Sequence, residues 1–532
     1  MLQGNAEVKA KAAWIGLAVL MTAGALVFWV FDALPFQDLP AHAGLIALRH
    51  RLADDSAFER RFFVLAPELG PYSLFRFLGD AMMGPLGPVG AVRALATLPI
   101  LATPPVVVAS RRVLHGDRSP AAGYFAVALC FGFMTILGFA SYLLGVAALL
   151  ALLTAWLKVL AAADRDAPAR AWELGVAIGA PALLMVHGDA FVVFLGLAAT
   201  SALATGERHA RLLRLRSLVP GALFAARVAW RERASVLPAG SVPVPHAAFV
   251  PHFQGPIDKL SLLLTPTLMT RTGIDAAVAV LLWIILGSAA LATARSLKTP
   301  PGAPPEPLGD DAPTHARALL ACAAVTAVAF LALPHSIGWF GFVDGRLVPL
   351  VLLLALLAIR RGSLDHPIVR AAVDGGGAVA ATAMVTLAYV ASVAFQTEAA
   401  GWRDVLERVP ADARLLNLPV QPNSRWFTAH PFVHYDKLAL ADRPLVVSDV
   451  WFHQGSGLYP TAQNPALNLP ASYSEATLGA PDWLAYRWRD WDFALVRTDV
   501  SAPEPAVPAV LATRLSVAEH RGGWWLFRIA PE

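Results

Sequence analysis

The sequence predicts an α-helical polytopic membrane protein of about eleven transmembrane helices, closed by a small C-terminal α/β extracytoplasmic domain. Three observations carry this. Of 532 residues, 57% are hydrophobic and only 15% are charged, with a mean hydropathy of +0.56; a soluble domain carries roughly 25% charged residues. Apolar runs recur along most of the chain, with short basic clusters between them. After residue 396 the runs shorten, and Asp, Arg, Asn and Pro appear throughout. This excludes a soluble enzyme, a disordered chain and a nucleic-acid binder. The pI near 9.2 reflects a net charge of only +4, with the basic residues placed as a membrane protein marks its cytoplasmic side. Cys130 and Cys322 lie inside apolar runs, so no disulfide framework or thiolate metal site is expected.

The runs long enough to span are 13–31, 90–109, 119–137, 141–159, 172–187, 188–204, 217–231, 274–294, 316–334, 347–360 and 372–395. The first follows Lys9 and Lys11 without a small-residue cleavage site, so it reads as a retained anchor. Several fall short of the usual ~20 residues, as tilted or protein-shielded helices do. The weakest, 217–231, contains Arg227 and Arg231. Lys and Arg concentrate in 1–12, 110–118, 158–170, 205–216, 295–317 and 360–370. That bias places the N-terminus inside and everything after 396 outside. The stretch 71–88 reads as an interfacial or re-entrant helix on which Arg76 and Asp80, four apart, can pair. The segment 295–315, with TPPGAPPEP, reads as a proline-rich linker. Residues 1–395 thus form the membrane domain, with a long first outer loop at 32–89, and 396–532 the extracytoplasmic domain. In the latter, 414–420, 444–450, 492–498 and 523–530 read as strands.

Five constellations can carry chemistry. The long loop opens FDALPFQDLPAH, and Asp38 and His42 share one face of a helix starting near Pro40. Asp32 sits at the membrane boundary. A carboxylate held against apolar surface has a raised pKa and serves as a general base; the alternative is that Asp38 only starts the helix. GFASYLLG (138–145) forms a turn between spans, with close helix packing as the plain reading. His187 and Asp189 flank Gly188 at another turn, either for solvation or facing a cavity. The loop 232–273 holds His246, His252, Asp258 and Lys259. Its histidines lack metal-ligand spacing; Lys259 is a candidate phosphate contact or a solvated lysine. Asp344 and Arg346 stand where the chain re-enters the bilayer, with Arg346 suited to bidentate phosphate binding or to anchoring at headgroups. There is no Walker A run, HExxH or GxSxG.

This layout, with QDLPAH (37–42), GFASYLLG, His187, DGRLVPL (344–350), WDFALVR (491–497) and GGWWLFRI (522–529), resembles the GT-C superfamily of integral-membrane glycosyltransferases that use polyprenyl-phosphate sugars. It looks closest to an uncharacterised bacterial branch. The resemblance implies an inverting transfer from a polyprenyl-phosphate-linked sugar donor to a lipid, glycan or protein acceptor in the inner membrane. An acidic residue of the first outer loop would act as base. Asp38 matches that position best and Asp32 second. His42, His187, Asp189, Lys259, Asp344 and Arg346 are the implied substrate-binding set, with Arg346 and Lys259 on the phosphate. No cofactor is expected beyond a divalent metal, Mg or Mn, as a helper. Asp38 is followed by Leu-Pro and not by a second acid. The competing readings are a non-catalytic membrane scaffold that keeps the fold, and a lipid-linked-glycan transporter. Aromatic faces of the C-terminal unit either stack on sugar or fill its core.

Overall fold

The computed structural model describes residues 2–66, 69–165, 167–204, 214–234, 237–243, 250–297, 312–338, 340–360, 364, 367–451, 456–475, 481–499, 505 and 507–531. His246 and most of the proline-rich 295–315 segment lie outside these. The helices, in chain order, are α1 (Leu2–Val30), α2 (Leu39–Arg51), α3 (Ser73–His115), α4 (Ala121–Cys130), α5 (Phe133–Ile136), α6 (Ala140–Asp164), α7 (Arg170–Val186), α8 (Gly188–Ala204), α9 (Val219–Ala234), α10 (Pro256–Leu264), α11 (Ile274–Ser296), α12 (Ala312–Ala332), α13 (Leu347–Ala358), α14 (Pro367–Ala399), α15 (Trp402–Leu406) and α16 (Asp436–Asp442).

Among the described residues, six helices are long and apolar enough to cross a membrane: α1, α3, α6, α11, α12 and α14. Shorter apolar helices are α4, α8 and α13. The expectation of about eleven spans is therefore met only in part. Helices α7 and α9 do form on their runs, but they are 17 and 16 residues long and carry charges. The run 119–137 breaks after Cys130 into α4 and α5. Helix α13 shows how a short run is accommodated. All of its LVPLVLLLALLA residues are buried, as expected of a helix apolar on every side. Its C-terminal carbonyls are capped from α3, where Arg111 Nη1 donates to Leu356 O at 2.6 Å and Ile359 O at 2.8 Å. A cation there also complements the helix dipole.

The stretch 71–88 is the front arm of α3, joined to the apolar part across a kink at Gly87. Arg76 and Asp80 do not pair as expected. Asp80 is bonded to Arg49 Nη2 at 3.1 Å, and Arg76 turns inward.

The C-terminal segment holds a five-stranded mixed sheet in the order β5-β4-β7-β9-β8, with β4 (Ala413–Pro419), β5 (Leu445–Val447), β7 (Phe493–Arg497), β8 (Leu515–Arg521) and β9 (Trp524–Ile529). β4 runs parallel to β5 and β7, while β9 runs antiparallel to β7 and β8. All four expected strands are present. β8 was missed because LSVAEHR is exposed along most of its length, and so lacks the apolar alternation that marks a strand.

The sheet has two apolar sides. One buries Trp483, Trp488 and Trp491 with Leu416 and Phe527, which favours the core explanation for most of the aromatics. The other side is continuous with the core of the helical bundle. Helix α16 lies directly on α2, and a Cβ on Gly44 would come within 2.9 Å of Lys437 O and 3.2 Å of Leu440 Cδ2. Strands β1 (Phe63–Leu65) and β6 (Leu458–Pro460) pair across the same seam. Arg49 Nη1 donates to Ser456 O at 2.7 Å, and Tyr435 Oη to Leu34 O at 3.1 Å. The first loop and the C-terminal segment are thus interlocked rather than merely adjacent.

Candidate active site

At this seam, where the two chain ends meet the helical bundle, lies a cavity of about 300 Å³. Asp38, His42, His187 and Arg346 all line it. Its volume is at the lower end for small-molecule sites, enough for one sugar ring and its phosphate.

Asp38 is placed by its backbone. Gln37 N and Asp38 N donate to Ile136 O and Leu137 O at 2.9 and 3.0 Å, and Pro40 follows inside the first turn of α2. The turn preceding α6 receives it at Gly138, which has φ +81°. A Cβ at Gly138 would sit 2.8 Å from Asp38 N, so only glycine fits there. GFASYLLG is therefore the seat of Asp38 as well as a helix-packing turn, and its Phe139 and Ser141 line the cavity. Burial pushes the Asp38 carboxyl up to about 6, against the opposing pull of the His434 cation and a hydrogen bond from Gln37. The Gln37 Nε2 donor is 3.4 Å from Asp38 Oδ1, and His434 Nε2 is 3.6 Å from the same oxygen. His42, one turn along α2, has its pKa lowered to about 4 by burial and the nearby His434 charge. It is neutral, and its ring stands edge-on to Phe75 and Trp451 at 5.3 and 5.0 Å.

Arg346, just before α13, anchors the opposite end. Its guanidinium pairs with Asp189, donates from Nη2 to Gly341 O at 3.1 Å, and lies 4.2 Å from the Phe340 ring centroid. Its Nε is buried without a hydrogen bond among the described residues. A buried donor with spare capacity beside a cavity can take an anionic acceptor. His187 completes this wall, edge-on to Tyr72 at 4.9 Å and with Nδ1 3.8 Å from Asp189 Oδ2. The His187-Gly188-Asp189 turn thus faces the cavity and holds Arg346.

Three expected site residues lie elsewhere. Asp32 is exposed and paired with Arg403, because the chain turns at the end of α1 toward α15. Lys259 is buried on the far side of the 340–346 turn. Its Nζ caps α12 through Phe330 O at 2.8 Å and Leu333 O at 2.5 Å, and it pairs with Asp344 Oδ2 at 3.0 Å. Asp344 is fully buried and also accepts from His335 Nδ1 at 2.8 Å and Gly345 N at 2.7 Å. Lys259 and Asp344 brace the turn that carries Arg346 and do not line the cavity. His252 and Asp258 are on the surface.

Sequence reasoning missed His434, Trp451 and Arg76, which also line the cavity. Arg76 was assigned to a local pair. His434 and Trp451 arrive from the far end of the chain, with no spacing rule to tie them to Asp38. Behind His434, its Nδ1 donates to Glu475 Oε2 at 2.7 Å, and Lys437 Nζ lies 2.5 and 2.6 Å from the two Glu475 oxygens. His434, Asp449 and Glu475 offer ligand atoms within 4.8 Å of one another. They fit a divalent metal poorly, since the Lys437 ammonium at both Glu475 oxygens would repel it.

No known family matches the chain by sequence pattern, and no curated protein matches it. Solved structures do. The apo structure of ArnT from Cupriavidus metallidurans superposes with a TM-score of 0.55 at 13% identity, covering 98% of this chain and 100% of that one. The structure of that ArnT bound to undecaprenyl phosphate superposes with a TM-score of 0.53 at 12% identity, over 98% and 100% of the two chains. The chain is thus an integral membrane protein by its apolar helices, and it shares the overall fold of that ArnT.

Proposed function

We propose that the protein is a membrane glycosyltransferase that moves one sugar from a polyprenyl-phosphate donor to an acceptor hydroxyl of a lipid, glycan or protein. The observation that carries this is the convergence of a buried, elevated-pKa carboxylate, Asp38, and a buried guanidinium, Arg346, on one cavity. The undecaprenyl phosphate bound by the related ArnT fold supports the donor class. We assign the N-terminus to the cytoplasm, and the cavity and C-terminal segment to the outer face of the inner membrane.

In this reading the donor phosphate sits against Arg346 and displaces part of its pairing with Asp189. The acceptor hydroxyl faces Asp38. As its oxygen bonds to the anomeric carbon, the hydroxyl proton passes to the Asp38 carboxylate. The bond between the anomeric carbon and the phosphate oxygen breaks, and polyprenyl phosphate leaves with the electron pair. Arg346 stabilises the charge that grows on that oxygen. The neutral His42 and the Trp451 ring offer a polar edge and an aromatic face to the sugar. No step is routed through a metal.

The test uses the full-length protein in vesicles with a panel of polyprenyl-phosphate monosaccharides. Asp38→Asn lowers transfer by at least ~100-fold, the lower bound for a general base, while the variant folds. Undiminished transfer in folded Asp38→Asn would discard Asp38 as base, and a scaffold would show no transfer in the parent protein either.

A further inference from the structure

The hydrogen bonding behind Asp38 constrains its partner's protons. Glu475 is 3% exposed and accepts from Lys437 Nζ, His434 Nδ1 and Asn417 Nδ2, the last at 3.2 Å. Surrounded by donors, it is a carboxylate, held low by Lys437 and His434 although burial works to raise it. His434 Nδ1 therefore carries its hydrogen. The other ring nitrogen, Nε2, faces Asp38 Oδ1 at 3.6 Å. In a neutral ring Nε2 would present a lone pair to a carboxylate, which is repulsive. In an imidazolium it presents an N–H, which is attractive.

We propose that the His434–Glu475 pair, braced by Lys437, is a positioning couple of the C-terminal segment that holds Asp38 ionised and aimed into the cavity. This rests on Asp38 being the base, and it makes the first-loop carboxylate dependent on the other end of the chain. Asp38 is faced by Gln37 on its own segment, by His434 and Asp449 from the C-terminal segment, and by Arg346 from the bundle. His434 is faced by Glu475, Lys437, Asp436 and Asp449 from its own segment and by Asp38 and His42 from the first loop. Burial alone would discharge His434, but Glu475 and Asp38 together raise its pKa. Removing the imidazolium leaves Asp38 next to Asp449 with Arg346 as its remaining cation, so its protonated form gains.

A readout that needs no substrate is available. A hydrophobic carbodiimide modifies protonated carboxyls in apolar surroundings, and peptide mass spectrometry locates the adduct. With the full-length protein in nanodiscs, wild-type Asp38 is labelled with a midpoint near its pKa of about 6. In His434→Gln the midpoint rises by about 1 pH unit or more, as expected for losing an opposite charge at this range. Glu475→Gln, which frees His434 to lose its proton, moves it in the same direction and serves if His434→Gln does not fold. Asp32→Asn, which breaks an exposed pair with Arg403 away from the cavity, leaves it unmoved. A midpoint that stays put or falls in a folded His434 or Glu475 variant overturns the coupling. That result leaves the glycosyltransferase reading standing, whereas transfer that survives Asp38→Asn removes the base assignment and not the coupling.

Discussion

Two buried clusters, each joining a lysine, a carboxylate and a histidine, differ in where the histidine points. In one, Asp344 bridges Lys259 and His335, and Lys259 uses its remaining donors on the carbonyls of Phe330 and Leu333. The His335 ring ends edge-on against Phe342 at 4.9 Å. Every strong group is consumed within the cluster, and its effect is to fix the turn before α13. In the other, Glu475 bridges Lys437 and His434, but His434 keeps one ring nitrogen for Asp38 at the cavity wall. Residue types and distances are nearly the same. The closed cluster supports structure, and the open one reaches a site.

Breaking the two clusters in parallel is the strongest check on this contrast. Lys259→Met and Lys437→Met each leave a buried carboxylate without its cation, and each destabilises by roughly 3–5 kcal/mol in chemical unfolding. Lys437→Met disturbs Asp38 directly through Glu475 and His434, whereas Lys259→Met reaches it only through Arg346 and moves it less; equal effects of both on Asp38 labelling would erase the distinction. Next in size, Arg346→Gln removes the phosphate seat and weakens donor binding by about 2 kcal/mol, roughly a 30-fold rise in KM with a smaller change in kcat. A kcat loss with unchanged KM would move Arg346 from binding to chemistry alone.

The pH dependence sharpens the open end of the comparison. With Asp38 at about 6, kcat/KM falls about tenfold per pH unit below pH 6. The stability consequence has a definite sign. A carboxyl whose folded pKa lies above its free value of 3.8 opposes folding once ionised, a penalty absent below about pH 4 and complete above about pH 6. Asp38→Asn therefore melts at or above the wild-type temperature at pH 7, and a lower melting temperature would mean the carboxylate is structural. The smallest effect is expected at Asp32→Asn, which breaks an exposed pair with Arg403 and costs less than about 1 kcal/mol with transfer unchanged.

Much of the architecture was legible because apolar length and alternation are local signals. The strands at 445–447, 493–497 and 524–529 fell within the runs that announced them, and that at 413–419 overlaps its run at 414–420. The site was legible only in part. Asp38 and His42 were found because one helical turn separates them, and His187, Asp189 and Arg346 because polar groups at span ends are conspicuous. Lys259 and Asp344 share those properties, yet they satisfy each other. Asp32 differs from Asp38 only in lacking a Gly138 turn to press it inward.

The amino-acid order alone determined that this chain carries membrane-length apolar helices, roughly where most of them lie, and that its last quarter is built differently. Those properties follow from hydropathy summed over neighbouring residues. Which of several boundary carboxylates became the buried one was decided in three dimensions, where α16 settled on α2 and brought His434 to Asp38. Desolvation and ion pairing act over a few ångströms of space, and separation along the chain carries no record of them.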